Sequence, residues 1–258
     1  MSDDILSLAP PKPDVRVSYG SDANQFIDLR LPKTQGNHPL AICIHGGYWR
    51  ARYGLEYMGH ACAALTAHGM ATANVEYRRV GNPGGGWPGT FADIRSAYQF
   101  VVQKAGQYGF DTRRAIEIGH SAGGQLGLCL AGHENGLAGA ISLAGVVDLQ
   151  RAYELHLSND AVVEFLGGTP SEVPDHYREA DPMKLAIRIP QSLIYGSIDD
   201  AVPPELSKGY VIAKKKMGED VRPLEIPGAG HFEIVDPRTA AWRDVQKVIL
   251  NSVGLATG

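Results

Sequence analysis

A serine with glycine two residues to either side, Gly119-His120-Ser121-Ala122-Gly123, follows the apolar run Ala115-Ile116-Glu117-Ile118. It precedes the helical run Gln125-Leu126-Gly127-Leu128-Cys129-Leu130. Strand, tight turn and helix start in that order form the Gly-x-Ser-x-Gly nucleophile elbow. Side chains at the flanking glycines would collide with the neighbouring chain, and the strained turn stands the serine hydroxyl clear of the sheet. The chemistry open to such a serine is acyl transfer. A hydroxyl is a weak nucleophile until a base takes its proton, and the base needs a carboxylate to hold its tautomer and stabilise the imidazolium.

On this kind of scaffold the partners follow in the order Ser, acid, His. Asp199 and Asp200 lie just past Gly196, at the end of the apolar run Gln191-Ser192-Leu193-Ile194-Tyr195-Gly196, and either can be the acid. His231 sits in Pro227-Gly228-Ala229-Gly230-His231-Phe232, after the last strand-like segment and among the small residues a close approach requires. The other downstream histidines, His133, His156 and His176, lie in helical or irregular stretches with no strand end to aim them at Ser121. An oxyanion needs N–H donors. Ala122, opening the helix, supplies one, and Gly46 and Gly47 in His45-Gly46-Gly47-Tyr48-Trp49 supply others, because glycine lets the backbone approach a carbonyl oxygen.

The elements that must position these residues follow from the hydrophobic pattern. Gln25–Leu31 alternates apolar and polar, as a half-buried strand does, and Pro39–His45 is continuously apolar, as a strand covered on both faces should be. A helix is expected from Leu55 to His68, a strand over 71–77, and a loop over Asn82–Gly89. Thr90 and Asp93 read as a capping box before a helix whose apolar stripe is Ile94, Ala97, Tyr98, Val101, Val102 and Ala105. Strands follow over 138–144, 191–196 and 222–226, and helices over 204–217 and 237–253. Strands alternating with helices predict an α/β architecture: a mainly parallel central sheet with helices on both faces. Residues 1–14, with three prolines, read as a loose arm, and 15–258 as a single domain. Within it, 147–187 lacks the strand pattern and is expected to be helical in pieces, a possible small cap.

The chain has 258 residues and a formal net charge of -4, so nothing attracts nucleic acid or an anionic membrane. The basic cluster Lys214-Lys215-Lys216 reads as the solvated end of a helix. Cys43, Cys62 and Cys129 form no Cys-x-x-Cys pair, so buried free thiols in a reducing compartment are expected, with no metal site. No basic-then-apolar leader opens the chain and no apolar run reaches spanning length, which predicts a cytoplasmic protein. The glycine-rich loop lacks a following Gly-Lys-Ser/Thr, so no phosphate-binding loop is expected, and no cofactor. Oligomeric state leaves no mark in the sequence.

From Leu40 to Phe232 the chain resembles an α/β-hydrolase of the esterase/lipase group with a His-Gly-Gly oxyanion motif. Gly119–Gly124 is similar to that group's nucleophile motif. Tyr77-Arg78, Trp87-Pro88 and Asp93 resemble its Tyr-Arg…Phe-Pro…Asp stretch, a structural feature, and Gly196–Pro203 resembles its acid loop, Gly-Thr-x-Asp-x-x-Val-Pro. That likeness implies Asp199 as the acid, with Ser121 as nucleophile and His231 as base. Where many members have a third glycine this chain has Tyr48, and His-Gly-Gly-x-Trp resembles the kynurenine formamidase branch, which hydrolyses N-formyl groups from aryl amines. The expectation is a serine hydrolase of small carboxylic esters, with arylformamidase activity as the specific alternative and an exopeptidase as a third. A ligand-binding scaffold without turnover is the rival from another class. Tyr48, Trp49, Trp87 and Phe232 are expected to line the substrate pocket, leaving room for a short acyl group beside an aromatic leaving group.

Overall fold

The continuous apolar run after Pro39 becomes the central strand because side chains of both parities have apolar neighbours. Leu40, Ile42 and Ile44 face one core, and Ala41 and Cys43 face the other. The structure, a computed structural model, describes residues 2–256. In chain order its strands are β1 (Val15–Ser18), β2 (Phe26–Arg30), β3 (His38–Ile44), β4 (Ala71–Val75), β5 (Phe110–His120), β6 (Gly139–Leu143), β7 (Gln191–Gly196) and β8 (Val221–Ile226). They form one sheet in the order β1-β2-β4-β3-β5-β6-β7-β8. β1 and β2 run antiparallel to their neighbours, and every pair from β4 to β8 is parallel.

The helices are α1 (Met58–Ala67), α2 (Gly89–Gln103), α3 (Ala105–Tyr108), α4 (Ala122–His133), α5 (Leu149–Glu154), α6 (Ala161–Leu166), α7 (Pro174–Ala180), α8 (Pro204–Lys216) and α9 (Ala240–Ser252). α1 and α9 cover one face of the sheet through Met58, Cys62 and Leu65 and through Trp242, Val245 and Ile249. α2, α4 and α8 cover the other through Ile94, Ala97 and Val101, Leu126 and Leu130, and Leu206 and Tyr210. Each of the Leu, Ile, Val and Met side chains among them contributes about 1.5–3 kcal/mol when fully withdrawn from water. This is an α/β-hydrolase fold. The parallel strands β3, β5, β7 and β8 all end at the same edge, which is where open α/β sheets hold their ligands.

Four expectations are corrected. The arm over residues 1–14 is not loose throughout: Ser2–Ser7 forms a 3-10 turn, and Ile5 is fully buried against the α1/α9 core, an apolar anchor that composition hid behind the prolines. A four-residue edge strand, β1, precedes the first expected one. No capping box forms. α2 starts after Pro88, and Thr90, inside it, donates from Oγ1 to the Arg78 carbonyl. Asp93 receives the Arg78 guanidinium at 2.6 and 2.8 Å and the Gln25 amide at 2.7 Å. Lys214 is not solvated either. One turn beyond Tyr210 on the inner stripe of α8, it is fully buried, bonded to the Leu185 carbonyl and 3.4 Å from Glu219. The segment 147–187 comes in pieces, α5 to α7 and a 3-10 turn over Pro182–Lys184.

Glu117 on β5 is fully buried, and neither carboxyl oxygen has a partner among the described residues. Burial raises its carboxyl well above the ordinary value of 4.5, so it holds its proton more tightly folded than unfolded. Such a group contributes stability that is complete below the unfolded value and is lost as pH rises towards the folded one. Glu117→Gln removes that dependence. The unfolding free energy of the variant minus that of the parent should therefore grow between about pH 5 and about pH 7, and a flat difference would contradict a protonated Glu117.

Candidate active site

Ser121 caps the end of β5 with φ 58° and ψ −122°, a conformation that side chains other than glycine seldom adopt. The turn survives because its flanks are bare. A Cβ on Gly119 would lie 2.1 Å from the Gly123 carbonyl oxygen, and one on Gly123 would lie 2.1 Å from that of Ile44. The backbone N–H of Ser121 is tied to Leu143 O at 2.9 Å, fixing the elbow to the end of β6. α4 is buried over Ala122–Ala131 because α7 and the 3-10 turn close over its outer side.

Asp199 and His231 come together. His231 Nδ1 donates to Asp199 Oδ2 at 2.7 Å, and both residues are buried. The other Asp199 oxygen accepts from the N–H groups of Ala201 and Val202 at 2.9 and 2.8 Å, so the loop after β7 itself orients the carboxylate. Asp200, its neighbour, points to solvent. Ser121 and His231 open onto one cavity of about 220 Å³. No hydrogen bond joins their side chains among the described residues, as is common when the bond tightens only with substrate in place.

The His45-Gly46-Gly47 turn lies against the elbow so closely that a Cβ on Gly46 would sit 2.6 Å from that of Ser121. Two of its peptide planes are clamped. The His45–Gly46 unit donates its N–H to Tyr57 Oη at 2.7 Å and accepts from Tyr77 Oη at 2.7 Å on its carbonyl. The Gly46–Gly47 unit has its carbonyl held at 2.8 Å by His45 Nδ1–H. A trans peptide directs N–H and C=O oppositely, so the Gly47 N–H points away from the His45 ring, and Gly47 borders the cavity. Of the three expected donors, Gly46 is thus already engaged, whereas the N–H groups of Gly47 and Ala122 bond to no acceptor among the described residues. His45 Nε2 lies 3.0 Å from Glu76 Oε1. Burial alone would raise the Glu76 carboxyl, but His45, Arg79 and the Tyr77 N–H outweigh it and hold it below its ordinary value.

Of the four residues expected at the pocket wall, two lie at the cavity and two do not. Tyr48 and Phe232 border the cavity, and the Tyr48 hydroxyl bonds to the Ala201 carbonyl, joining the glycine turn to the loop after β7. Trp49 and Trp87 do not border it. Trp49 adopts φ 57°, which turns its ring into the core. There it stacks on Phe165 of α6 at 4.5 Å and donates from Nε1 to Gln125 of α4. Trp87 stacks on Phe91 and meets Phe165 edge-on. Besides Gly47, Ser121 and His231, the wall includes residues not singled out in the sequence, among them Leu6, Tyr53, Tyr57, His120 and Ser158. His120 stood in plain view as the variable residue of the elbow. Tyr53, Tyr57 and Leu6 carry no local signal.

Fold and site together define an α/β-hydrolase whose strand ends carry an elbow serine, a His–Asp pair and a glycine turn. The BD-FAE family profile matches residues 27–213, more than half of the chain, and the chain belongs to that family. It is 26% identical over 200 residues to a versiconal hemiacetal acetate esterase of Dothistroma septosporum, covering 70% of this chain and 60% of that one. It is 22% identical to a kynurenine formamidase of Salmo salar, covering 93% and 82%. The fold is shared with a truncated carbohydrate esterase from gut microbiota at TM-score 0.81 and 19% identity, covering 95% of this chain and 99% of that one. The chain spans between about half and three-fifths of the length of the first curated relatives it matches. No helix among the described residues is long and apolar enough to cross a membrane.

The two adjacent aspartates give a direct test of the arrangement. Asp199→Asn should lower kcat by about a thousandfold or more, because the amide no longer holds the His231 tautomer, while Asp200→Asn should stay within about threefold of the parent. Steady-state kinetics on both variants checks this, and the reverse order would contradict it.

Proposed function

We propose that this chain is a serine hydrolase of small carboxylic esters. In this reading Ser121 Oγ attacks the ester carbonyl as His231 Nε2 takes its proton, with Asp199 stabilising the imidazolium. The negative charge that develops on the carbonyl oxygen is received by the N–H groups of Gly47 and Ala122. His231 then protonates the departing alcohol, leaving an acyl-enzyme. Water activated by the same imidazole hydrolyses it and restores Ser121.

The observation that carries the reading is the 2.7 Å His231–Asp199 bond beside an elbow serine, with the N–H of Gly47 at the cavity wall and that of Ala122 next to Ser121, neither bonded to an acceptor among the described residues. A non-catalytic scaffold has no need of the three together. The small cavity, bounded by Tyr48, Tyr53, Tyr57 and Phe232, supports short acyl groups and aromatic leaving groups, and the named acetate esterase among the relatives agrees with that. A second reading, arylformamidase, is favoured by Tyr48-Trp49 after His45-Gly46-Gly47 and by the Salmo salar relative. The same reading makes residues 15–258 one hydrolase domain. Its cap, 147–187, is held by Phe165 between Trp49 and Trp87 and by Arg50, which binds Ser158 and Glu164. Free buried thiols at Cys43, Cys62 and Cys129 support a reducing, cytoplasmic setting.

Ser121→Ala and His231→Ala should each lower kcat by about a thousandfold or more, and the double variant should lose little beyond either. Retention of most activity in either single variant would end the proposal. Across p-nitrophenyl esters, acetyl to butyryl chains should be cleaved best. Equal turnover of dodecanoyl esters would contradict the short acyl pocket. A kcat/KM for N-formylkynurenine above that of every ester would make the formamidase reading the right one.

A further inference from the structure

The residue between the elbow glycine and the serine, His120, is buried in a hydrogen-bonded chain that the acyl-transfer steps do not use. Gly46 N–H, which can only donate, gives its proton to Tyr57 Oη at 2.7 Å. Tyr57 Oη lies 2.7 Å from His120 Nδ1. His120 Nε2 lies 3.0 Å from the carbonyl oxygen of His231, which can only accept. These constraints have one neutral solution. Nε2 carries the His120 proton and donates it to His231 O, so Nδ1 accepts and the Tyr57 hydroxyl donates to it. Burial, followed by the neighbouring His231, lowers the His120 ring well below its ordinary value, and burial raises the Tyr57 phenol, which agrees with a neutral ring and a protonated hydroxyl.

We propose that Tyr57 and His120 are positioning residues that tie the oxyanion turn to the backbone of the base through the nucleophile elbow. The four-membered chain Gly46–Tyr57–His120–His231 joins segments 46, 57, 120 and 231, which lie far apart in sequence and must agree to fractions of an ångström for acyl transfer. The Gly46 end fixes the peptide plane preceding the Gly47 donor. The His231 end fixes the main chain whose ring Asp199 aims. The His120 ring also packs against the His231 ring, with centroids 4.6 Å apart, so a neutral His120 adds no charge beside an imidazole that must become positive during the reaction. Tyr57 and Phe232 close the same space edge-on, 5.8 Å apart. The inference rests on the proposed serine hydrolase mechanism.

The test is kcat per active site, titrated with a fluorophosphonate so that unfolded protein is not counted, on p-nitrophenyl acetate. Tyr57→Phe removes a single oxygen and should lower kcat about tenfold while KM stays within about twofold. His120→Gln keeps a neutral acceptor and donor and should retain several times the kcat of His120→Phe, which keeps only the bulk of the ring. A role confined to packing would lower the melting temperature and leave kcat per titrated site at the parental value. Parental kcat in Tyr57→Phe, or equal kcat in the two His120 variants, overturns the proposal. Should one of these variants not fold, the remaining comparison decides. Ser121→Ala, which has no serine to titrate and is assayed per mole of folded protein, separates the two levels: if it stays active the hydrolase mechanism fails, and if it is inactive while Tyr57→Phe is unimpaired only the positioning chain fails.

Discussion

The arrangement depends on one constraint: the peptide planes after β3 must present an N–H to the elbow without a side chain in the way. Gly46 is bare because Ser121 lies where its Cβ would stand, and the elbow in turn is bare at Gly119 and Gly123 because backbone oxygens lie there. A turn stripped of side chains has no packing of its own to set its orientation. Hydrogen bonds supply it: Tyr57 and Tyr77 hold the two ends of the first peptide unit, and His45 holds the carbonyl of the second. All three are buried, so water cannot compete for the same groups, and the low local dielectric strengthens the bonds they make.

The rest of the edge is built to keep that turn in register with the loops that carry Asp199 and His231. Tyr48, immediately after the glycines, reaches the Ala201 carbonyl, and the Ala201 N–H binds the same Asp199 carboxylate that orients His231. Trp49, the next residue, turns the opposite way and anchors the helical segment after β6 through Phe165, while its indole N–H meets Gln125 on the elbow helix. Two consecutive residues in the left-handed region therefore send one ring to the site and the other to the core. Strain of this kind persists where surrounding contacts over-determine it.

Much of this edge was legible in the sequence, and the limits have physical causes. The elbow, the glycine turn and the base loop announce themselves because close backbone approach demands glycine, which is visible residue by residue. Asp199 over Asp200 came from likeness to an acid loop; nothing in two adjacent carboxylates distinguishes them before the loop N–H groups are placed. The central strands were legible from apolar runs, whereas β1, four residues long and mostly exposed at the sheet edge, has no such run. Trp49 and Trp87 look like pocket aromatics in one dimension because a large ring suits a core and a cleft equally; what separates them is contact with Phe165, a residue more than 70 positions away that leaves no local pattern. The Tyr57–His120 bond spans 63 residues and leaves no local pattern at all.

The proposed mechanism stands or falls on whether Gly47 and Ala122, and not Gly46, receive the oxyanion. The most direct measurement is a crystal structure of the protein after reaction with a p-nitrophenyl phosphonate, whose tetrahedral phosphorus stands in for the intermediate formed on Ser121. Phosphorus should be bonded to Ser121 Oγ, with its oxygen about 3 Å from both Gly47 N and Ala122 N, while Gly46 N stays on Tyr57 Oη. A phosphonyl oxygen bound to Gly46 N, or attachment at any residue other than Ser121, would contradict it.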